Sequence, residues 1–333
     1  MPKISVIMPA YNAEKYIAEA VESILGQTFD DFEFIIINDC SQDRTEEIIL
    51  SYDDPRIIYL KNEQNLGVAA TLNKGLAIAK GEYIARMDAD DISMPERFEK
   101  QAKFLDKKRK IVACGSATML FGETQEQTVR IFPTNPQRAN LQLIFAPCFA
   151  HPSVMIRREI LKEYALFYDE CWEGTEDFAL WWELGKKGRL VALREALLYY
   201  RMHTNQVTAN SGSKIEKIFL PFAFKRLKDL NVDCNMSDAE ALFAYTSGRL
   251  NPEQAEKFIY LMKKIAESPE SRGRFGSSPL RRYLAIEILG AIDSLEVSQR
   301  EKNKLYHLAK KAGFKTKALR IKRDCSRALR RIL

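Results

Sequence analysis

The sequence predicts an α/β protein: an open, mostly parallel sheet with a small antiparallel part, followed by a C-terminal α-helical region. Three observations carry that prediction. Across the first hundred residues, short apolar runs without helical period alternate with amphipathic stretches, the pattern of βαβ units. After Ile111 the alternation loosens into strand-like runs that can pair antiparallel. From Ser213 onward only helical periodicity remains. Residues 1–210 therefore read as one domain and 211–333 as a helical region.

Each element has its own signal. Ile4–Met8 is a short apolar strand ended by Pro9. Ile17, Ala20, Val21, Ile24 and Leu25 fall at helical spacing within 13–25, with Asn12 placed to cap. Phe34–Ile37 is a second buried-type strand, followed by Asn38, Asp39 and Ser41 as turn and cap residues. Thr45–Tyr52 reads as helix, Ile57–Leu60 as strand, Gly67–Ala79 as helix closed by Gly81, and Glu82–Met87 as strand. Pro95 sits in the first turn of a helix that runs through Leu105. Ile111–Phe121 and Thr128–Phe132 form a candidate antiparallel pair, Glu176–Lys187 an amphipathic helix, and Leu197–Arg201 a short strand. Helices are expected over 213–230, 237–247, 251–267, 278–296 and 299–312.

Composition excludes several classes. With 333 residues, 46% hydrophobic, 29% charged, 15 Gly and 12 Pro, the chain is neither collagen-like, disordered nor a disulfide scaffold. The longest run without a charged side chain, Ala139–Ile156, holds Asn140, Gln142, Pro147, His151 and Pro152, which suits no lipid-facing helix. The N-terminal apolar run breaks at Pro9 and does not resemble a signal peptide, so a cytoplasmic protein is expected. Six scattered cysteines without a CxxC pair fit free thiols better than zinc. Residues 301–333 carry twelve Lys or Arg against Glu301 and Asp324. A tail of net +10 is thus joined to a body of net −4, within a chain of +6. Such a tail belongs near phosphate.

Three segments at expected strand ends carry chemistry. Arg86-Met87-Asp88-Ala89-Asp90-Asp91 places Asp88 and Asp90 one residue apart, so a tight turn lets both approach one hard cation, Mg²⁺ or Mn²⁺. The same residues also fit a solvated acidic turn or a helix N-terminus. Pro9-Ala10-Tyr11-Asn12 and Asn38-Asp39 follow the first two strands. In an open parallel sheet all three loops meet in one crevice. There an aspartate can accept the imide N–H of uracil or thymine, and Tyr11 can stack on the base. An ordinary cap at Asp39 and a rim aromatic at Tyr11 fit equally well.

Taken together, Ile4–Asn12, Ile35–Asp43, Asn65–Gly67, Asn73–Gly75 and Gly81–Asp91 resemble the nucleotide-sugar-binding half of the family 2 glycosyltransferases, inverting enzymes of the GT-A fold. The likeness is close over residues 3–105 and thinner to about 205. It implies a nucleotide-binding half at 1–105 and an acceptor and catalytic half at 106–210. It also implies that Asp39 binds the base, that Pro9, Ala10, Tyr11, Asn12 and Asn65 surround the nucleoside, and that Asp88, Ala89 and Asp90 serve the ribose and a metal-bound diphosphate. Leu72 stands where many members carry Arg, which leaves Lys74 or Arg86 to supply positive charge.

Gly174-Thr175-Glu176-Asp177 resembles the family's ED motif, which makes Asp177 the general base. Acidic residues in a first helical turn are also common for the dipole's sake alone. His203, after Tyr200-Arg201-Met202, can be a third metal ligand, and Arg201 can neutralise phosphate. His151 can face the sugar or acceptor, though a histidine is as often a structural donor. Trp181 reads as core, while Trp172 and Trp182 stay open, with Glu176, as acceptor contacts. The basic tail, with Leu319, Ile321, Leu329, Ile332 and Leu333 among its cations, suits an anionic membrane surface. It carries no nucleic-acid motif.

The expected function is a metal-dependent inverting transfer of one sugar from a UDP-sugar to a hydroxyl of a glycan or lipid-linked acceptor. The resemblance places it in assembly of a bacterial surface polysaccharide, such as O-antigen, capsule or exopolysaccharide, at the inner face of the membrane. The absence of QxxRW and of membrane spans argues against a processive synthase. A homodimer through the C-terminal helices is a further expectation. Two other classes compete: a non-catalytic sugar-nucleotide scaffold, and a nucleotidyltransferase. The latter needs a basic, glycine-rich loop that Pro9–Lys15 lacks.

Overall fold

The computed structural model describes residues 1–122, 127–203 and 212–315. The chain divides into two compact units, Met1–Gly212 and the helical part from Ser213 onward. The basic segment 316–333, with Cys325 and the expected membrane contact, lies outside the described residues.

The first unit opens with β1 (Ile4–Ala10), α1 (Ile17–Leu25), β2 (Phe32–Asn38), α2 (Thr45–Leu50), β3 (Ile57–Lys61), α3 (Val68–Ile78) and β4 (Tyr83–Arg86). β1, β2 and β4 are buried on both faces, as parallel strands between helices must be. β1 pairs in parallel with β2 (Ile4↔Phe32) and with β4 (Ile4↔Tyr83), and β2 with β3. The strand order is therefore 3-2-1-4, and it reverses beside β1. In such sheets the crevice opens at the carboxyl ends of the strands flanking that reversal. Here those ends lead to Tyr11 and to Asp88.

Alternation along β1 decides what packs where. Ile4, Val6 and Met8 join Ile17, Ala20, Val21 and Ile24 of α1 in one buried cluster. Each of the larger ones, Ile, Val or Met, contributes about 1.5–3 kcal/mol by leaving water. Ile7 points to the other face, where α3 comes so near that a Cβ on Gly75 would lie 2.5 Å from Ile7 Cγ2.

The remainder of the unit is β5 (Ile92–Ser93), α4 (Arg97–Lys107), β6 (Ile111–Gly122), β7 (Thr128–Arg130), α5 (Pro136–Gln142), β8 (Met155–Arg157), α6 (Arg158–Glu163), α7 (Glu176–Lys187) and β9 (Arg189–Met202). The sheet continues β4-β8-β6-β9-β5. β8 is antiparallel to both neighbours, and β6 runs parallel to β9. β5 returns antiparallel on β9 (Ile92↔Tyr199), which ties the acidic loop to the end of β9. The expected β6–β7 pair is antiparallel, Thr118 opposite Arg130.

The second unit comprises α8 (Gly212–Asp229), α9 (Met236–Thr246), α10 (Pro252–Glu267), α11 (Pro269–Phe275), α12 (Ser277–Ser294) and α13 (Gln299–Lys311). Asn235–Asp238, Asn251–Gln254 and Ser298–Glu301 form reciprocal capping boxes that fix three of the starts. α10 packs against α9, α11, α12 and α13, with Phe258, Ile259, Leu261, Met262 and Ile265 fully buried. No helix among the described residues is long and apolar enough to cross a membrane.

Several local expectations are corrected. Asn12 does not cap α1, which begins at Ile17; its φ is +48° and its side chain accepts from Gln42 N. α3 ends at Ile78, capped by Ala79 rather than by Gly81, whose missing Cβ lets the chain pass against Ser5. The short strand expected at 197–201 is the end of a 14-residue strand, β9, whose charged Arg194 and Glu195 mask its continuity in the sequence. β5, α5, β8 and α6 carry too few residues for a periodic signal. The expected helix 278–296 is preceded by a separate helix, α11, broken from it at Gly276 with φ +77°.

Candidate active site

The loops after β1 and β2 are zipped to each other. Asn12 N donates to Ser41 Oγ (3.0 Å), Ala13 N to Thr45 Oγ1 (2.7 Å) and Glu14 N to Asp43 Oδ2 (3.0 Å). In return Gln42 N donates to Asn12 Oδ1 (2.8 Å) and Arg44 N to Glu14 Oε2 (3.1 Å). Turn residues that hydrogen-bond across two loops make a rigid floor, with Tyr11 half exposed at its rim.

Asp39 lies buried beside that floor. Its Oδ1 accepts from Asn62 Nδ2 (2.7 Å) and Leu66 N (2.9 Å), and its Oδ2 from Gly67 N (3.0 Å). A carboxylate has about four acceptor sites, so Oδ2 keeps one lone pair for a ligand. Asn65 Nδ2 reaches the Asp39 carbonyl at 3.4 Å. Lys74 does not point at a phosphate position: its Nζ donates to Asn62 Oδ1 (2.8 Å), one layer behind Asp39.

The acidic loop follows β4. Oxygens of Asp88, Asp90 and Asp91 lie within 4.8 Å of one another. Asp91 is the member that motif reading passed over, although it completes the run. Its Oδ1 accepts from Arg201 N (2.8 Å), while its Oδ2 is buried with no hydrogen-bond partner. Burial, with Asp90 and Asp88 adding, holds Asp91 well above the usual carboxylate range. An orphaned buried oxygen inside an all-oxygen set is what a hard divalent cation fits. His203 Nε2 sits 2.9 Å from Asp90 Oδ2, so it flanks the triad through Asp90. Arg201 is already committed: Nε donates to the Asp90 carbonyl (2.7 Å) and Nη2 to Glu19 (2.6 Å). It braces the acidic turn and is not placed as a loose phosphate ligand.

Arg86 is buried and ion-paired with Asp88. Its positive charge reaches Asp91, Glu176, Asp177, His151 and Tyr168, so these groups surround one centre. Glu176 and Asp177 open α7, with Glu176 Oε2 accepting from Gly174 N (2.6 Å) and Asp177 Oδ1 from Phe178 N (2.6 Å). Burial, helped by Asp177, pushes Glu176 up to about 7. Burial also pushes Asp177 up to about 6, opposed by its bond from Phe178 N and by Arg86. Carboxylates raised this far are poised to exchange protons near neutral pH.

Comparison with known proteins gives the family and the fold. A family model described as Glycosyl transferase family 2 matches residues 5–165. An uncharacterized glycosyltransferase of Haemophilus influenzae is 38% identical over 223 residues, 62% of this chain and 68% of that one. The chain belongs to glycosyltransferase family 2. Escherichia coli WfaP, a UDP-Glc:α-D-GlcNAc-diphosphoundecaprenol β-1,3-glucosyltransferase, is 33% identical across 65% of this chain and 83% of its own. Staphylococcus aureus TarS residues 1–349, solved with UDP-GlcNAc, superposes with a TM-score of 0.58 at 22% identity, covering 88% and 89% of the two chains. That likeness confirms the GT-A type of fold.

In this glycosyltransferase, then, Pro9 to Asn12, Asp39 and Asn65 gather at one end of the crevice, while Arg86 ends β4 and Asp88, Ala89 and Asp90 follow it. Glu176 and Asp177 stand within reach of the Arg86 charge. One expectation fails. Trp182 is fully buried, like Trp181, and cannot contact an acceptor; helical spacing on α7 turned it into core. His151 is about nine-tenths buried against Tyr168 and Trp181. Trp172 stays half-buried on the segment before α7. Sequence reasoning missed Tyr168, Asn62 and Glu173, and gave no role to Asn73 within the Asn73–Gly75 segment. Of these only Asn62, directly after β3, stood at a strand end where it could have been sought.

Proposed function

We propose that the enzyme transfers one sugar from a UDP-sugar to a hydroxyl of a glycan or lipid-linked acceptor, with inversion, in bacterial surface polysaccharide assembly. The observation that carries this reading is the acidic triad with its orphaned Asp91 oxygen, together with the raised Glu176–Asp177 pair, both under the charge of Arg86. The spare lone pair on Asp39 Oδ2 supports a base with an imide N–H, as in uracil. The UDP-glucose and lipid-linked acceptor in the name of WfaP, and the UDP-GlcNAc held by TarS, support the same donor and acceptor classes. A cytoplasmic enzyme working at the inner face of the membrane fits such an acceptor.

Asp88, Asp90 and Asp91, with His203 beside them, would hold Mg²⁺ or Mn²⁺. When bound, that ion supplies charge neutralisation for the departing diphosphate. Asp177 takes the proton of the acceptor hydroxyl as its oxygen bonds to the anomeric carbon. The bond from that carbon to the diphosphate oxygen breaks, and its electron pair leaves with UDP. Attack and departure on opposite faces of the sugar invert the configuration. Arg86 balances the carboxylates around it, and the zipped loops fix the nucleoside before chemistry begins.

A thermal-shift panel of UDP, GDP, dTDP and CMP, each with and without Mn²⁺, tests the donor site. A ligand that binds only the folded state raises the melting temperature by mass action. The expected result is a metal-dependent shift with UDP alone. A shift with another nucleotide replaces the donor class, and no shift with any supports the scaffold reading.

A further inference from the structure

His151 and Tyr168 are buried beside the acidic pair, and the steps described above use neither. Tyr168 is clamped at its backbone: Tyr168 N donates to Asn73 Oδ1 (2.9 Å), and Asn73 Nδ2 donates to the Tyr168 carbonyl (2.7 Å). α3 thereby holds the residue in place from both sides. The Tyr168 hydroxyl lies 3.1 Å from His151 Nε2, with the two rings tilted at 5.3 Å. On its other side His151 turns Nδ1 toward Glu176 Oε1 at 4.0 Å, while Trp181 packs edge-on against the imidazole. Glu176 is fixed at its second oxygen by Gly174 N.

The hydrogen-bond inventory decides the direction of this chain. A buried tyrosine hydroxyl has one proton to place, and among the described residues His151 Nε2 is its one acceptor. Burial raises the Tyr168 pKa, so that proton stays on oxygen. Burial, then the charge of Arg86, holds His151 well below the usual imidazole range. A neutral imidazole that accepts at Nε2 carries its proton on Nδ1, the atom facing Glu176.

We propose that Tyr168 and His151 are positioning residues for the acidic pair: the Tyr168 hydroxyl fixes His151 as the Nδ1–H tautomer, and that N–H orients the Glu176 carboxylate beside Asp177. The proposal rests on the reading of Asp177 as the base. At 4.0 Å the Nδ1 atom and the Glu176 carboxylate lie just beyond hydrogen-bond distance. Active-site hydrogen bonds are often long before substrate binds and tighten in the complex. Other charged or titratable groups around the acidic pair are Arg86 and Asp88 from β4 and its loop, and Cys148, which feels Asp177.

The test uses the full chain labelled with ¹⁵N-histidine, which gives only three imidazoles, those of His151, His203 and His307. His151→Gln assigns the signals, since glutamine can still accept from Tyr168 and donate toward Glu176. The expected spectrum shows a pyrrole-type Nδ1 and a pyridine-type Nε2 for His151, unchanged in protonation between about pH 5 and pH 8. Tyr168→Phe keeps the ring and removes the hydroxyl, and it should abolish the tautomer preference. The Nδ1 signal should also step as Glu176 titrates, and Glu176→Gln should remove that step. An Nε2–H tautomer, an imidazole titrating near its ordinary ~6.5, or an Nδ1 signal blind to Glu176→Gln overturns the proposal. Failure of the base reading looks different: Asp177→Asn would keep transfer activity while the His151 spectrum stayed as described.

Discussion

Replacing Asp177 by asparagine separates what the site needs for chemistry from what it costs in stability. The side chain is close to isosteric, and Asn Oδ1 can still accept from Phe178 N, now 2.6 Å from Asp177 Oδ1. Burial lifts the carboxyl from 3.8 to about 6, which corresponds to about 3 kcal/mol at about 1.4 kcal/mol per unit. The sign follows from linkage. A folded-state pKa above the unfolded value means the folded protein holds this proton more tightly. Its contribution is complete below about pH 4 and is lost as pH rises through about 6. At pH 7.5 the ionised, poorly solvated carboxylate therefore weakens the fold, and a neutral amide relieves it. With residual solvation we expect a gain of about 1–3 kcal/mol, at roughly 2–4 °C per kcal/mol for a unit of this size. Melting curves of the two proteins in chelator, at pH 4.5 and pH 7.5, measure it. The asparagine variant should melt several degrees higher at pH 7.5, and the gap should shrink to about a third of that at pH 4.5. Transfer should fall by about 10²–10⁴, the usual worth of a placed base. A variant that melts lower at pH 7.5, or that keeps its turnover, refutes the reasoning.

Other perturbations follow from the same geometry. Initial transfer rates should climb as pH rises through about 6 to 7, where the Glu176–Asp177 pair loses its protons, and then level off; a profile that falls over that interval contradicts the base assignment. Asp91→Asn keeps an acceptor for Arg201 N, so the variant should fold normally and yet lose stabilisation by Mn²⁺ in a melting-point titration. Asp39→Asn places an amide group where three N–H donors converge. It should cost about 1–3 kcal/mol in a denaturant titration and remove the thermal shift given by UDP. Trp182→Ala should destabilise by about 3–5 kcal/mol, whereas Trp172→Ala, half-buried before α7, should leave the melting temperature within about 1–2 °C of the parent; equal effects would mean that the two tryptophans had been wrongly distinguished.

The parts of this fold that were legible in the sequence are those whose cause is local. β1, β2, β4 and the helices between them announce themselves because a strand buried on both faces must be apolar throughout, while its covering helix must show a stripe. Asp39, Asp88 and Asp90 were legible for a related reason, because each follows such a strand directly. Asn12 was misread because an asparagine before a helical stretch satisfies the capping rule, and nothing nearby says that Gln42 will claim its side chain instead. β8 and β5 have three and two residues, too few for a period to register, and their pairing depends on β6 and β9, which lie far along the chain.

The second half of this unit shows why the rest of the site stayed hidden. Glu176 and Asp177 look like any acidic first turn until burial and Arg86, some ninety residues earlier, give them raised pKa values. Tyr168 belongs to a stretch with no periodic signal. It matters because Asn73, on α3, grips its backbone at both ends and aims its hydroxyl at His151. α3 also begins at Gly67, whose N–H together with that of Leu66 holds Asp39. One helix therefore anchors the residue expected to meet the nucleotide and the residue that orients the acidic pair. Gly67, at φ +84°, lies against the Glu173 carboxylate, and Glu173 Oε1 accepts from Val68 N (3.1 Å). That makes a second tie between α3 and the segment leading into α7. Nucleotide placement and base placement are therefore not independent: a change that shifts α3 should disturb both, whereas a change confined to the acidic loop should disturb the metal site alone.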